Sequence, residues 1–304
     1  MGQKPNSFRA LAFNTFGLIS SRISSLAKFC KAAVMVTAFL IGDAAGYATA
    51  QSESSASVVE FESPLASRPP LQGYLRQSNQ KSPSPAVVLL HGCNGNWKRL
   101  DERWGRRIAS WGYVTLTVDS FGPRGIQNTC TSGAPVNLAF DAYRALDFLA
   151  REPFVDPSRV ATLGFSQGGW LAFTSVERGA IERTSQNKFR AAIAFYPPCL
   201  GFKGNMTVPT LVLIGELDDW TPASECSNMV DGRDDWGISR QQGQGAPISL
   251  VVYPGAYHAF DVQNLAPVQY LGHHLEFNQP ATDRSIDAVR EFLDATIGGK
   301  EQVR

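Results

Sequence analysis

The feature that most constrains the fold of this chain is an alternation of short apolar runs with longer amphipathic segments. The apolar runs, rich in β-branched residues, occupy 85–92, 113–122, 159–166, 189–197, 209–216 and 249–256. Apolar residues recur at helical spacing in 97–112, 136–152, 168–177 and 281–298. Such alternation is typical of βαβ units, and near-continuous apolar strands indicate a sheet covered on both faces. The sequence therefore predicts an α/β fold with a mostly parallel central sheet, helices on both faces and an antiparallel hairpin over 58–78.

The first fifty residues have a different character from the rest. Lys28 and Lys31 precede an apolar run at 32–42, and the small residues Ala48-Thr49-Ala50 follow it. A basic flank, a short apolar stretch and an A-x-A site are typical of a secretory signal peptide. We therefore predict cleavage after Ala50 and export to the periplasm or the medium, with an uncleaved anchor or an over-long start before a normal signal as alternatives.

The predicted mature chain has a plain organisation and a mildly acidic charge. Residues 51–57 form a polar tail that we expect to be disordered, and 58–300 are expected to form one domain. Without residues 1–50 the chain keeps 23 basic and 26 acidic residues, a net charge of −3. This balance predicts neither a nucleic-acid partner nor stable membrane association after cleavage, and it leaves the oligomeric state open.

Cysteine usage agrees with export. Four cysteines remain after the predicted cleavage, an even number that suggests two disulfides with three possible pairings. Cys93 with Cys130 and Cys199 with Cys226 are the favoured pairs, because each pair lies on neighbouring strand-to-helix connections. The spacing of cysteines and histidines does not suggest a zinc site.

One serine lies at the carboxyl end of a predicted strand, which is where ligands bind in an α/β sheet. Ser166 lies between Gly164 and Gly168, at the end of the run 159–166 and before the helix 168–177. This is the strand–turn–helix context of a G-x-S-x-G nucleophile elbow, in which small neighbours make room for a strained turn. The alternative is an ordinary turn that contains serine.

A serine nucleophile needs a general base, and the chain offers four histidines. In the order Ser…Asp…His the base follows the last strand and precedes the last helix, a position that His258 occupies. His273 and His274 fit this order loosely but do not follow a strand, and His91 lies in an early turn. We therefore predict that His258 is the base.

The acid that orients the base should follow the strand 209–216. The segment after it offers Glu216, Asp218 and Asp219. Asp218 is favoured because it lies in a turn between Gly215 and Pro222, and Asp219 is the alternative.

An oxyanion hole is expected at the glycine-rich turn LLHGCNGN, 89–96. In hydrolases with this elbow, one amide comes from the residue after the serine and one from such a loop. The candidate donors are the backbone N–H groups of Gln167 and Cys93, with Asn94 less favoured. A turn dictated only by its glycines is the alternative.

Taken together, the motifs LLHGCNG, VDSFGPRG, GFSQGG, GELDDWTP and YPGAYHAFD resemble, in this order, those of the dienelactone hydrolase family of α/β-hydrolases. The family's founding type has a cysteine nucleophile, whereas this chain has Ser166, which favours hydrolysis but not opening of dienelactone itself. Arg124 in DSFGPRG is a candidate contact for a substrate carboxylate. The aromatic residues beside the strand ends are candidates for lining an apolar acyl or aryl pocket: Phe121, Trp220, Tyr257 and Trp170. An ion pair is the alternative for Arg124, and core packing is favoured for Trp170.

These observations predict an exported serine ester hydrolase that acts on a small carboxylic ester or lactone through an acyl-enzyme. Ser166 would attack, His258 would transfer the proton and Asp218 would orient the histidine. Neither a metal nor an organic cofactor is required. The alternatives are an acyltransferase or peptidase with the same triad, and a non-catalytic binding protein on the same fold.

Overall fold

A computed structural model describes residues 55–64, 66, 68–80, 83–133, 138–233 and 244–298. The predicted signal peptide, 1–50, lies outside these residues, as do residues 51–54 of the predicted tail. The first strand begins at Ser57, one residue before the predicted start of the domain.

An eight-stranded sheet forms the centre of the fold, in the order β1-β2-β4-β3-β5-β6-β7-β8. Its strands are β1 (Ser57–Phe61), β2 (Leu71–Arg76), β3 (Ser84–Leu90), β4 (Val114–Asp119), β5 (Val155–Phe165), β6 (Ala191–Phe195), β7 (Thr210–Gly215) and β8 (Ile248–Tyr253). β1, β2 and β4 pair antiparallel, and every other pair is parallel. The predicted fold class and the N-terminal hairpin are confirmed.

The helices cover this sheet. They are α1 (Trp97–Leu100), α2 (Arg106–Ser110), α3 (Ala139–Leu149), α4 (Gln167–Val176), α5 (Ala180–Arg183), α6 (Ala223–Asp231) and α7 (Gln279–Thr296), and a π-helical turn (Asp101–Gly105) joins α1 to α2. α3 and α4 pack against one another and against β3 and β5, whereas α7 packs against β6 and β7. The six apolar runs all became strands; β3, β4, β6 and β7 are buried on both faces, as their continuous apolar sequences predict, whereas the edge strand β8 is partly exposed.

The sequence analysis assigned no helix or strand at α5, at α6 or at a small antiparallel hairpin of β9 (Val268–Tyr270) and β10 (His273–Leu275). This hairpin lies over the carboxyl end of the sheet through a bridge between Leu275 and His258. Within the described ranges, every helix is too short or too polar to cross a membrane.

Both favoured disulfides are present. Cys93–Cys130 joins the loop after β3 to the loop after β4, and Cys199–Cys226 joins the loop after β6 to α6. Both bridges lie at the carboxyl end of the sheet, where they tie together the loops that surround Ser166.

Candidate active site

Ser166 lies in a strained turn between β5 and α4. Its backbone has φ 52° and ψ −118°, a region that non-glycine residues rarely adopt. The flanking glycines permit the turn: a Cβ on Gly164 would lie 1.9 Å from the Gly168 carbonyl oxygen, and one on Gly168 would lie 2.2 Å from the Leu90 carbonyl oxygen. The local sequence therefore fixes a tight strand-to-helix turn that exposes the serine hydroxyl.

Three predicted residues meet at this turn. The Ser166 hydroxyl oxygen lies 3.0 Å from His258 Nε2, and His258 Nδ1 lies 2.8 Å from Asp218 Oδ2. His258 and Asp218 are 3% and 4% exposed, so their hydrogen bond is shielded from water. The three groups come from the loops after β5, β7 and β8, whose carboxyl ends lie at the same edge of the parallel sheet.

The surroundings of Asp218 fix the tautomer of the histidine. Asp218 Oδ1 accepts the backbone N–H groups of Trp220 (3.0 Å) and Thr221 (2.9 Å), and its Oδ2 lies 3.0 Å from the Thr221 hydroxyl. A carboxylate that accepts these bonds is an acceptor toward the imidazole as well. His258 therefore donates from Nδ1, which leaves Nε2 free to accept the serine proton.

The alternative acid and bases have other partners. Asp219 accepts the backbone N–H of His274 (3.1 Å), and its own carbonyl lies 3.1 Å from His273 Nδ1. The imidazole of His273 stacks on Trp220 at 4.9 Å. These contacts dock the β9–β10 hairpin on the loop after β7, away from the serine hydroxyl.

The candidate oxyanion donors flank Ser166. Gln167 is the first residue of α4, whose unpaired N-terminal amides favour negative charge, and Cys93 lines both clefts beside the serine. Neither amide N–H enters a backbone hydrogen bond within the described part of the chain. Thr129 holds both residues: its N–H donates to the Cys93 carbonyl (2.8 Å), and its hydroxyl donates to Gln167 Oε1 (2.7 Å).

Two clefts meet at Ser166. The narrow cleft, of about 150 Å³, is lined by His258, Tyr196, Tyr270, Val262 and Arg103 among others. The wide cleft, of about 380 Å³, is lined by Gln167, Trp170, Pro198, Thr221 and Glu225 among others. Trp220 lines both, as expected for a substrate-contacting residue. Trp170, for which core packing was favoured, is half-buried, packs against the core and also lines the wide cleft.

Three predicted substrate contacts do not reach these clefts. The Arg124 guanidinium is paired with both Asp141 oxygens at 2.7 Å and donates to the Ser120 carbonyl. Phe121 is buried with its ring edge-on to His91, and Tyr257 packs on His274. None of the three lines either cleft. The guanidinium of Arg124 is engaged by a buried carboxylate on α3, which is the ion-pair alternative for this residue.

A second buried network lies behind His258, and the sequence analysis missed it. Asp261, 1% exposed, accepts hydrogen bonds from the Tyr196 hydroxyl (2.6 Å) and from Trp104 Nε1 (2.7 Å). Burial and the Asp261 carboxylate together raise the pKa of Tyr196 well above its usual range, so the phenol stays neutral. The Tyr196 ring packs against His258 at 4.6 Å. The only sequence signal was the position of Asp261 in the motif YPGAYHAFD.

His91, the remaining histidine, is buried, and both of its ring nitrogens bond to the backbone. Burial lowers its pKa, although the Gly92 carbonyl and Asp119 oppose the shift. The neutral ring donates from Nδ1 to the Gly92 carbonyl (2.8 Å) and accepts the Ser120 N–H at Nε2. Across the described ranges, no three His, Cys, Asp or Glu side chains converge in a metal-binding arrangement.

The sequence matches the family model of the dienelactone hydrolase family over residues 71–297, most of the chain. The chain belongs to the dienelactone hydrolase family. Its eight-stranded sheet with covering helices is the α/β-hydrolase fold.

Solved structures share this fold at low sequence identity to the present chain. A dienelactone hydrolase-like promiscuous phosphotriesterase from metagenomic libraries matches with a TM-score of 0.61 and 20% identity, over 80% of this chain and 100% of that one. Esterase 2 of Thermogutta terrifontis, phosphoramylated by tabun, matches with a TM-score of 0.59 and 18% identity, over 80% of this chain and 95% of that one.

Two relatives identified by sequence match this chain over shorter stretches. Lipase 1 of Moraxella is 32% identical over 117 residues, 38% of this chain and 33% of that protein. Acylamino-acid-releasing enzyme 1 of rice is 30% identical over 122 residues, 38% of this chain and 15% of that protein. The chain thus spans a third or less of the length of these relatives.

Proposed function

We propose that this protein is an exported serine ester hydrolase in which Ser166, His258 and Asp218 form the catalytic triad. The observation that carries this proposal is the continuous hydrogen-bond chain from the buried Asp218 carboxylate through His258 to the hydroxyl of Ser166. A strained turn supports the same proposal, because backbone strain in folded proteins clusters at functional sites. The lipase and esterase relatives agree with an ester as substrate.

The chemistry follows from this hydrogen-bond chain. Ser166 Oγ attacks the ester carbonyl while its proton passes to His258 Nε2, and the imidazolium that forms is stabilised by Asp218. The tetrahedral oxyanion is held by the N–H groups of Cys93 and Gln167, each of which typically contributes about 3–4 kcal/mol in such sites. The alcohol leaves with the proton from His258, and water then hydrolyses the acyl-enzyme by the same route.

Export is the second part of the proposal. It rests on the leader-like sequence of residues 1–50 and on the two disulfides, since disulfides persist in oxidising compartments. The intact mass of the exported protein tests both at once, because cleavage after Ala50 and two oxidised pairs each give a defined mass.

A peptidase is the second candidate, and the rice acylamino-acid-releasing enzyme among the relatives favours it. The two candidates share the triad and differ in the bond that is cleaved. Matched ester and anilide substrates with the same acyl group separate them: we expect the ester to be cleaved and the anilide to be nearly inert.

The triad is tested by labelling with a fluorophosphonate, followed by intact mass analysis of wild-type protein and of Ser166→Ala and His258→Ala. We expect one adduct on the wild type and none on either variant. Ser110→Ala, which removes an exposed hydroxyl on α2, is the matched control and should be labelled at the wild-type rate. Labelling of Ser166→Ala, or absence of labelling on folded wild type, would contradict the proposal.

A further inference from the structure

Ser166 lies at the junction of two clefts that differ in size and lining. Cys93, Cys130, Ser166 and Trp220 line both clefts and form the divide between them. His258 lines only the narrow cleft, whereas Gln167 lines only the wide one. An ester bound at Ser166 therefore places its two halves in different surroundings.

The proton path decides which half goes where. The alcohol oxygen must approach His258 Nε2 to receive its proton as the bond to the acyl carbon breaks. Only the narrow cleft is lined by His258, so the alcohol projects into that cleft. The acyl carbon stays bonded to Ser166 Oγ, with its oxygen near the Gln167 N–H, and the acyl chain is left to extend into the wide cleft.

We propose that the wide cleft is the acyl site and takes a bulky apolar acyl group, while the narrow cleft takes a small alcohol. This inference rests on the proposed function. The wide cleft, at about 380 Å³, is within the range of ligand pockets. The narrow cleft, at about 150 Å³, matches a cavity that holds a single benzene ring.

The lining of the wide cleft favours apolar acyl groups. Trp170 and Trp220 present indole surfaces and Pro198 a ring, and large aromatic side chains dominate the energetics of apolar recognition. The predicted substrate class is thus an ester of a neutral aryl or medium-chain acid with a small alcohol.

Two crossed ester series test this assignment. In the first, p-nitrophenol is fixed and the acyl group runs from acetyl through butyryl to octanoyl and benzoyl. In the second, the acyl group is fixed as acetyl and the alcohol runs from methanol through phenol to naphthol. We expect kcat/KM of the wild type to rise along the first series and to fall from phenyl to naphthyl acetate in the second.

One variant in each cleft separates the two halves of the ester. Trp170→Ala should reduce the preference for octanoyl over acetyl by about tenfold or more, since even small changes in an apolar pocket alter discrimination by 10–200-fold, and should leave the alcohol series unchanged. Val262→Phe, which fills the narrow cleft, should reduce cleavage of naphthyl acetate and leave the acyl series unchanged. Trp97→Ala is the matched control, because Trp97 packs on Tyr74 and lines neither cleft.

The opposite pattern would overturn the assignment: an altered alcohol series in Trp170→Ala, an altered acyl series in Val262→Phe, or a wild type that prefers acetyl to every larger acyl group. Trp170→Phe, which keeps an aromatic ring, serves where the alanine variant does not fold. Labelling by a small ethyl fluorophosphonate reports the triad separately. Normal labelling with the opposite pattern would reject the assignment alone, whereas loss of labelling in the wild type would reject the proposed function.

Discussion

Replacing Arg124 by leucine leaves a buried carboxylate without its partner, and we expect a loss of stability rather than a loss of activity. In the wild type the Arg124 and Asp141 side chains are 7% and 0% exposed, and two hydrogen bonds of 2.7 Å join them. The guanidinium also donates to the Ser120 carbonyl at 2.6 Å. This brace ties the loop after β4 to α3, and the arginine lines neither cleft at Ser166.

The magnitude follows from the burial of this pair. Removal of one partner of a buried ion pair costs about 3–5 kcal/mol, because the remaining charge is uncompensated. With a urea m-value of about 3 kcal/mol per M, the unfolding midpoint of Arg124→Leu should fall by about 1–2 M. The double variant Arg124→Leu/Asp141→Leu should recover much of this loss, and kcat/KM on a neutral ester should stay near the wild-type value.

The pH dependence gives an independent check. Burial raises the pKa of Asp141 while Arg124 opposes the shift, so removal of the arginine raises the folded-state pKa further above its unfolded value of about 3.8. The charged carboxylate is then the destabilised form, and the penalty grows as the pH rises above that unfolded value. The stability gap between variant and wild type should therefore narrow as the pH is lowered from neutral. A stable Arg124→Leu variant that loses activity only on carboxylate-bearing esters would refute this reasoning and assign Arg124 to substrate binding.

Two further predictions concern the disulfides and the buried histidine. Replacing Cys93 and Cys130 together by serine should lower kcat, because the candidate oxyanion loop is then no longer held by a disulfide. Replacing Cys199 and Cys226 together should mainly lower the free energy of unfolding, by about 3–4 kcal/mol for a loop of this length. Equal kcat values for the two folded variants would contradict the first expectation. Because burial lowers the pKa of His91, stability is fully retained above about pH 6.5, the unfolded value, and is lost as the pH falls below it. The urea midpoint of His91→Gln should not fall as the pH is lowered below about 6.5. A fall equal to that of the wild type would show that another group causes it.

Much of this fold could be predicted from the sequence because its signals are local. The six apolar runs became strands β3 to β8, and for the strands inside the sheet the continuous apolar sequence matches burial on both faces. The turn at Ser166 was predictable because the glycine spacing around the serine is a local signal, although the contact that requires Gly168 comes from Leu90 in β3. The disulfide pairs followed from the strand layout, which brings neighbouring strand-to-helix connections together.

The sequence by itself therefore determined the parallel sheet, the strained serine turn and the chain positions of the acid and base. It could not decide between side chains whose partners lie far along the chain. Arg124 pairs with the buried Asp141, and Trp170 packs against the core while one side of it lines the wide cleft. Thr221 and Asp261 lie in motifs quoted from the sequence, but their contacts around the histidine depend on partners that the motifs do not reveal. These outcomes depend on which surfaces the packed helices and loops leave open at the carboxyl end of the sheet, and only the tertiary structure decides that.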